Sequence, residues 1–149
     1  MMRRIAIISS RHRGWDSSRP ASEQLGSEFD RSKLEELLES IMPKWPALMV
    51  VGIGADAGLN RAIREACQGH GIPYAEIRVT FSSHVHPAAL ELALLARHEA
   101  VAALSQEAII LVGRGRMGHV EDLLHVLRRQ RVPYVVYDDG WEVTESYDG

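Results

Sequence analysis

The 149-residue sequence holds a single cysteine, Cys67, so no disulfide can form within the chain and a disulfide scaffold is excluded. That usage points to a reducing compartment, and a cytoplasmic protein is the expectation. Aromatic residues are scarce at 6%. No apolar run approaches the roughly 18–20 residues needed to cross a bilayer, so no membrane partner is expected. The opening Met1-Met2-Arg3-Arg4-Ile5-Ala6-Ile7-Ile8 has the basic start of a secretory signal, but its apolar part is too short, and Arg11 and Arg13 follow at once. Excess charge of one sign is also missing. Seventeen Lys and Arg stand against 20 Asp and Glu, a net charge of −3, which leaves no general electrostatic footprint for nucleic acid. Arg114 and Arg116 are expected at one end of a helix and Arg128, Arg129 and Arg131 at the other, so these do not make one basic patch. There is no Gly-Lys-Ser/Thr after a glycine-rich loop and no Gly-x-Ser-x-Gly, which excludes a P-loop ATPase and leaves the Ser9-Ser10 pair without the setting of a nucleophile.

What is present describes one compact domain over residues 1–149, with 46% apolar and 25% charged residues. Surface scaling predicts that roughly 68% of the extended chain's surface is buried on folding. Short runs rich in branched side chains read as buried strands at Ile5 to Ser9, Leu48 to Ile53, Ala108 to Val112 and Val132 to Tyr137, with a weaker outer strand at Tyr74 to Val79. Helices fill the gaps: Arg31 to Ile41 behind an Asp30 cap, Gly58 to His70 with Gly71 as its left-handed cap, Pro87 to Leu104, and Gly118 to Gln130. Strands alternating with helices of this length predict an α/β fold: a three-layer α/β/α Rossmann-like sandwich around a mainly parallel five-stranded sheet. Residues 11–29 read as a long polar loop, and residues 138–149 as a short tail that either adds an edge element or frays. No internal repeat stands out.

In an open parallel sheet, ligands bind outside the carboxyl ends of the strands where the strand order reverses. Three segments belong to that edge. The first carries Ser10 and Arg11. The second is Gly52-Ile53-Gly54-Ala55-Asp56-Ala57-Gly58, followed by Asn60, and the third is Gly113-Arg114-Gly115-Arg116-Met117-Gly118-His119. Glycine lets a ligand approach backbone N–H groups, a helix start favours phosphate, and the Arg114 and Arg116 forks fit phosphate oxygens. Asp56 is placed either to cap a helix or to accept from a sugar hydroxyl or a base N–H. Glu121, in the first turn of the last helix, either serves the helix dipole or reaches a bound sugar. His84 and His86 have zinc-like spacing, but Cys67 falls on an inward helical face and no fuller ligand set appears, so neither a metal nor any cofactor is expected. His98, beside Arg97, reads as a packing or interface residue.

These loops resemble those of the YspA-type branch (once a domain of unknown function) of the SMF/DprA–LOG superfamily of Rossmann-like nucleotide-binding domains. Ile5 to Trp15 is similar to the family's opening strand with its Gly-Ser-Arg and aromatic residue. Gly54-Ala55-Asp56-Ala57-Gly58-Leu59-Asn60-Arg61-Ala62 is similar to its Gly-x-Ala-x-Gly-x-Asp-x-x-Ala turn. Gly71-Ile72-Pro73 follows at the usual distance, Arg97-His98 takes the place of an Arg-Asn pair, and Val112 to His119 is similar to the second glycine-rich turn. The likeness spans roughly residues 3–137. Asn60 stands where Asp is customary, Ala57 where a basic residue is common, Ser9 for Gly, and Gly118-His119 for Gly-Thr. The Pro-Gly-Gly-x-Gly-Thr-x-x-Glu of the sister phosphoribohydrolases survives only in part around Gly115 and Glu121.

The resemblance implies a binder, or sensor, of a nucleotide or nucleotide-derived ligand. Ser10, Arg11, Gly54, Asp56, Gly58, Asn60, Arg97, Gly113, Arg114, Gly115, Arg116, Gly118 and His119 are then its contact residues. One alternative is a phosphoribohydrolase-like enzyme using Glu121 and Asp56, where a carboxylate steadies a ribosyl cation as it forms. Another is a homo-oligomeric interaction module, a dimer through the apolar Pro87 to Leu104 helix, with a vestigial pocket.

Overall fold

The computed structural model describes residues 2–9, 31–53, 59–79, 86–112 and 119–149. The apolar runs become strands β1 (Arg3–Ser9), β2 (Leu48–Ile53), β3 (Tyr74–Ile77), β4 (Glu107–Leu111) and β5 (Tyr134–Tyr137). Between them lie helices α1 (Arg31–Ile41), α2 (Leu59–Gly69), α3 (Pro87–Leu104) and α4 (His119–Arg129), with a 3-10 turn at Met42–Lys44. A sixth strand, β6 (Val143–Tyr147), completes the described elements. The result is an α/β fold with a mixed, mostly parallel six-stranded sheet in the order β3-β2-β1-β4-β5-β6, flanked by four helices.

The expected five strands are therefore corrected to six. After Tyr137 the chain turns back at Asp138, whose carboxylate accepts from the N–H groups of Gly140 and Glu142 at 2.9 and 3.0 Å. Trp141 takes a positive φ of 60° there, and β6 then runs antiparallel along β5. Pairing with β6 covers an edge that β5 would otherwise expose.

Alternation along β1 divides the core in two. Ile5 and Ile7 join Leu34, Leu38, Ile63 and Cys67 against α1 and α2. Ala6 and Ile8 face the other way, with Val101, Leu123, Leu124 and Leu127 of α3 and α4. Side chains of successive strand residues point to opposite faces, so a central strand buried on both must be apolar throughout. Each fully buried Ile or Leu contributes about 1.5–3 kcal/mol relative to exposure. The opposite, amino-terminal edge is closed by side chains: Arg3 pairs with Glu107 at 2.8 Å and lies 4.5 Å above the Trp45 ring.

Two parts of the chain are built alike. α2 and α4 both have 11 residues, and each ends in a segment of the form x-x-Pro-Tyr: Gly71-Ile72-Pro73-Tyr74 and Arg131-Val132-Pro133-Tyr134. In both, the residue before Ile72 or Val132 is left-handed, with φ 69° at Gly71 and 58° at Arg131. In both, the next N–H closes the helix, Ile72 onto Cys67 and Val132 onto Leu127, each at 2.9 Å. The proline carbonyl then bonds to the preceding parallel strand, Pro73 to Val50 and Pro133 to Ala108, again at 2.9 Å. The units β2–α2–β3 and β4–α4–β5 are thus equivalent, a repeat not apparent in the sequence reading. They lie on either side of β1 and cover opposite faces of the sheet.

The nearly continuous apolar sequence of helix α3 predicts burial by the sheet and neighbouring elements or by a second subunit; within the described residues of the single chain only His98, Val101 and Ala102 are buried. Leu92 is 68% exposed, and Leu95 and Leu104 about two-fifths. The helix touches α4, β2 and β3, which leaves its outer side uncovered by the described residues. None of the described helices is long and apolar enough to cross a membrane.

Candidate functional site

Strand order reverses between β1 and β4. β2 and β3 lie on one side of β1, and β4, β5 and β6 on the other. α2 and α4 pack on opposite faces of the sheet, the arrangement in which open α/β sheets bind ligands at the carboxyl edge. Ser9 ends β1, Ile53 ends β2, and Val112 extends β4 through its N–H to Tyr137 at 2.9 Å. Leu59 and His119 open the two returning helices.

Of the residues predicted to contact ligand, Ser10, Arg11, Gly54, Asp56, Gly58, Gly113, Arg114, Gly115, Arg116 and Gly118 lie outside the described residues. So do the Asp30 cap, the polar segment 11–29 and His84. The others are placed as follows. His119 begins α4, and Glu121 is exposed in its first turn with Asp122. Arg97 is half-buried in α3, about 15 Å along the helix axis from Pro87 at 1.5 Å per residue, so the helix sets it back from the edge. His98 beside it is 4% exposed. His86 caps α3, accepting from the Ala88 N–H at 3.1 Å. No cluster of metal-ligating side chains occurs among the described residues.

Asn60 is the best-defined residue at this edge. It is 1% exposed, and its amide clasps the main chain of Ser9: Oδ1 accepts from the Ser9 N–H at 2.9 Å and Nδ2 donates to the Ser9 carbonyl at 3.0 Å. The side chain thus mimics a neighbouring peptide group, as a further strand residue would. A carboxylate could make only the first bond. Asn60 ties the first turn of α2 to the end of β1 and fixes where the chain departs from the sheet. This is a positioning role alongside the predicted contact role.

A second polar group lies one strand further out, on the α2 side of β3. Gly52 has no side chain, and the Tyr74 phenol fills that space: a Cβ on Gly52 would stand 2.0 Å from its oxygen. The hydroxyl donates to the Ile53 carbonyl at 3.4 Å, at the last residue before the glycine-rich turn. Burial, then the Glu76 charge, pushes the Tyr74 phenol above its ordinary pKa, while Arg64 opposes the shift. Glu76 is paired in register with Gly52 and forms an ion pair with Arg78 through Oε2. Its Oε1 and the Nε of Arg64 are both buried without a hydrogen-bond partner among the described residues. Sequence reading passed over Arg64, Tyr74 and Glu76. Aligning the two x-x-Pro-Tyr segments would have found them, because the positions equivalent to Arg64 and Glu76 are the apolar Leu124 and Val136.

The polar cluster at the opposite edge is structural. Tyr134 donates to Glu145 and accepts from Arg128 Nε at 2.8 Å, which binds β6 to β5 and α4. Burial first, and the Glu145 hydrogen bond second, push the Tyr134 pKa up to about 12. Cys67 is likewise pushed up to about 12, by burial and then by Glu35, so the thiol is a core group and no nucleophile. Comparison of the chain with protein-family models, with curated proteins and with solved structures gave no match in any of the three.

Proposed function

We propose that this chain is a Rossmann-like α/β/α domain of the SMF/DprA–LOG type, similar to its YspA branch. In this reading it binds a nucleotide or nucleotide-derived ligand at the carboxyl edge of its sheet, as a sensor in a reducing, cytoplasmic setting. The observation that carries the reading is the reversal of strand order at β1/β4, flanked by two equivalent strand–helix units that each contain a glycine-rich segment before the helix. Phosphate would be held by backbone N–H groups of Gly54 to Gly58 or Gly113 to Gly118, with Arg11, Arg114 or Arg116 as counter-charge. Asn60 holds the end of β1 in place.

The test is thermal stability against AMP, ADP, ATP, the guanine nucleotides, NAD, ADP-ribose and cyclic nucleotides at fixed protein and salt. A ligand at a hundred times its Kd adds about 2.7 kcal/mol, which raises Tm by about 5–10 °C in a chain of this size. Arg116→Ala should abolish the shift with the fold intact. No shift with any compound, in protein shown by mass spectrometry to carry no retained ligand, refutes the reading.

The exposed leucines of α3 favour a second reading in addition, self-association through the Pro87–Leu104 helix. Leu92→Lys would then turn a sedimenting dimer into a monomer. A parent that sediments as a monomer at every concentration removes it.

A further inference from the structure

The chain holds four tyrosines, and the protein itself uses the hydroxyls of three. Tyr74 donates to the Ile53 carbonyl, Tyr134 is bound to Arg128 and Glu145, and Tyr147 donates to the Arg128 carbonyl at 3.4 Å. Tyr137 differs. Its hydroxyl forms no hydrogen bond among the described residues and is not one of their buried unpaired atoms, so it opens to solvent. It also stands at the carboxyl edge. Tyr137 ends β5 in register with Leu111 at the end of β4, which is in register with Ser9 at the end of β1. With Leu111 it packs on the face covered by α1 and α2. Adjacent strands are about 4.8 Å apart, so Tyr137 lies roughly 7 Å from the middle of the β1/β4 switch, within the length of one nucleotide.

Trp141 stands beside it, with the ring centroids 5.9 Å apart and the planes 51° from parallel. Both residues are half-buried, so each keeps part of its surface in solvent. Trp141 is held there against its backbone preference. Its φ of 60° is left-handed, a conformation that bulky residues rarely adopt. Gly140, one residue earlier, would adopt it freely but is not left-handed. The turn into β6 needs no indole at this position, and strain of this kind gathers at binding sites. We propose that Tyr137 and Trp141 form the stacking wall for the base of the bound nucleotide, and that the Tyr137 hydroxyl hydrogen-bonds to the ligand. With the two planes tilted, a flat base lies face-on to one ring and meets the other at its edge, both favourable aromatic geometries. Recognition by stacking tolerates any base and favours the larger purine face. The inference rests on the nucleotide reading above.

Calorimetric titration of AMP, UMP and ribose 5-phosphate into the full chain tests this. The expected order of affinity is AMP, then UMP, then ribose 5-phosphate. Trp141→Gly removes the ring while suiting the left-handed backbone, so the turn is kept. It should weaken AMP at least about fivefold and leave ribose 5-phosphate unchanged, which shows the rest of the site intact. Tyr137→Phe keeps the ring and should weaken AMP about threefold to tenfold, the loss of one hydrogen bond. Tryptophan emission supplies a second readout. AMP should quench it in the parent, in Trp15→Phe and in Trp45→Phe, but not in Trp141→Phe, whereas ribose 5-phosphate should quench none of them. Equal binding of AMP and ribose 5-phosphate by the parent overturns the proposal while leaving a phosphate site in place. AMP affinity unchanged in Trp141→Gly, or a quench retained in Trp141→Phe, overturns it and leaves the nucleotide reading standing. If none of the three compounds binds, and none of the thermal series does, the nucleotide reading itself fails and this assignment falls with it.

Discussion

Replacing Asn60 by aspartate tests the brace between α2 and β1 through a change of one proton. The native amide makes two bonds to Ser9, at 2.9 and 3.0 Å, from a side chain 1% exposed. A carboxylate of the same shape keeps the bond from the Ser9 N–H, but its second oxygen faces the Ser9 carbonyl with no hydrogen between them. The loss combines one missing hydrogen bond to the Ser9 carbonyl with a buried, poorly compensated charge, so Asn60→Asp should cost about 2–4 kcal/mol at pH 7. Protonation restores the missing donor. Burial and the facing carbonyl both favour the neutral acid, so the carboxyl pKa of the folded variant rises above its unfolded value near 3.9. Between those two values the folded state holds the extra proton, and stability falls as pH rises. The deficit relative to the parent is then smallest at or below about pH 4 and fully developed once the raised pKa is passed. Urea unfolding followed by tryptophan fluorescence from pH 4 to pH 7, parent and variant side by side, reads this directly. Asn60→Ala is the pH-independent control. It leaves both Ser9 groups without this partner and should lose about 2–4 kcal/mol throughout. A deficit in Asn60→Asp that does not change with pH, or one below about 1 kcal/mol in Asn60→Ala, refutes the reasoning.

Gly52→Ala should destabilise by about 1–3 kcal/mol, although Gly to Ala within a strand ordinarily gains up to about 1 kcal/mol, because the new Cβ displaces the Tyr74 ring. In a Tyr74→Ala background the penalty should shrink by at least about 1 kcal/mol, and an additive double mutant would show that the ring is not the obstacle. Tyr134→Phe should cost about 1 kcal/mol and lower the amide-exchange protection of β6, since the hydroxyl bridges Arg128 and Glu145. Its folded pKa of about 12 lies above the unfolded value near 10, so its contribution is whole below pH 10 and is lost as pH rises through about 12. The variant should accordingly lose one tyrosine's worth of late-appearing phenolate absorbance, and an unchanged late step contradicts the burial argument. Cys67 should resist Ellman's reagent at pH 8 until the chain unfolds, and stoichiometric labelling of the native protein would refute its core role.

How far the sequence revealed these features depended on how local their signals are. The runs Ile5 to Ser9 and Leu48 to Ile53 are apolar on both faces and bounded by polar or glycine residues, so burial is visible in the string itself. Gly71 after a periodic helix and Pro87 at the start of another are local punctuation, and both perform their expected roles. β6 was harder to foresee, because Val-Thr-Glu-Ser-Tyr has one half-buried face and gains its strand identity from pairing with β5. What covers the outer side of α3, neighbouring elements or a second subunit, was not legible for the opposite reason. An apolar helix gives no stripe from which to infer a buried side, and the neighbours that decide it are remote in the chain. Asn60 reads locally as part of a glycine-rich turn, whereas its partner is Ser9, 51 residues away. Arg64 and Glu76 look like an ordinary helix surface and an alternating strand until the two strand–helix units are laid over each other.

The position of β1 bears on how the chain is made. Arg3 to Ala6 pair with β2, but Ile7, Ile8 and Ser9 pair only with β4, at Ile109, Ile110 and Leu111. At about 5–20 residues per second, ribosomal synthesis needs roughly 3–12 s to go from the end of β2 to the end of β4. For that interval the future centre of the sheet is an apolar edge with bare N–H and C=O groups, the state most prone to pairing with a foreign strand. A nascent chain halted near residue 100 should therefore bind chaperones and aggregate when released, whereas the full 149-residue chain should not. The high sequence separation of these contacts likewise predicts slow refolding for a domain of this size.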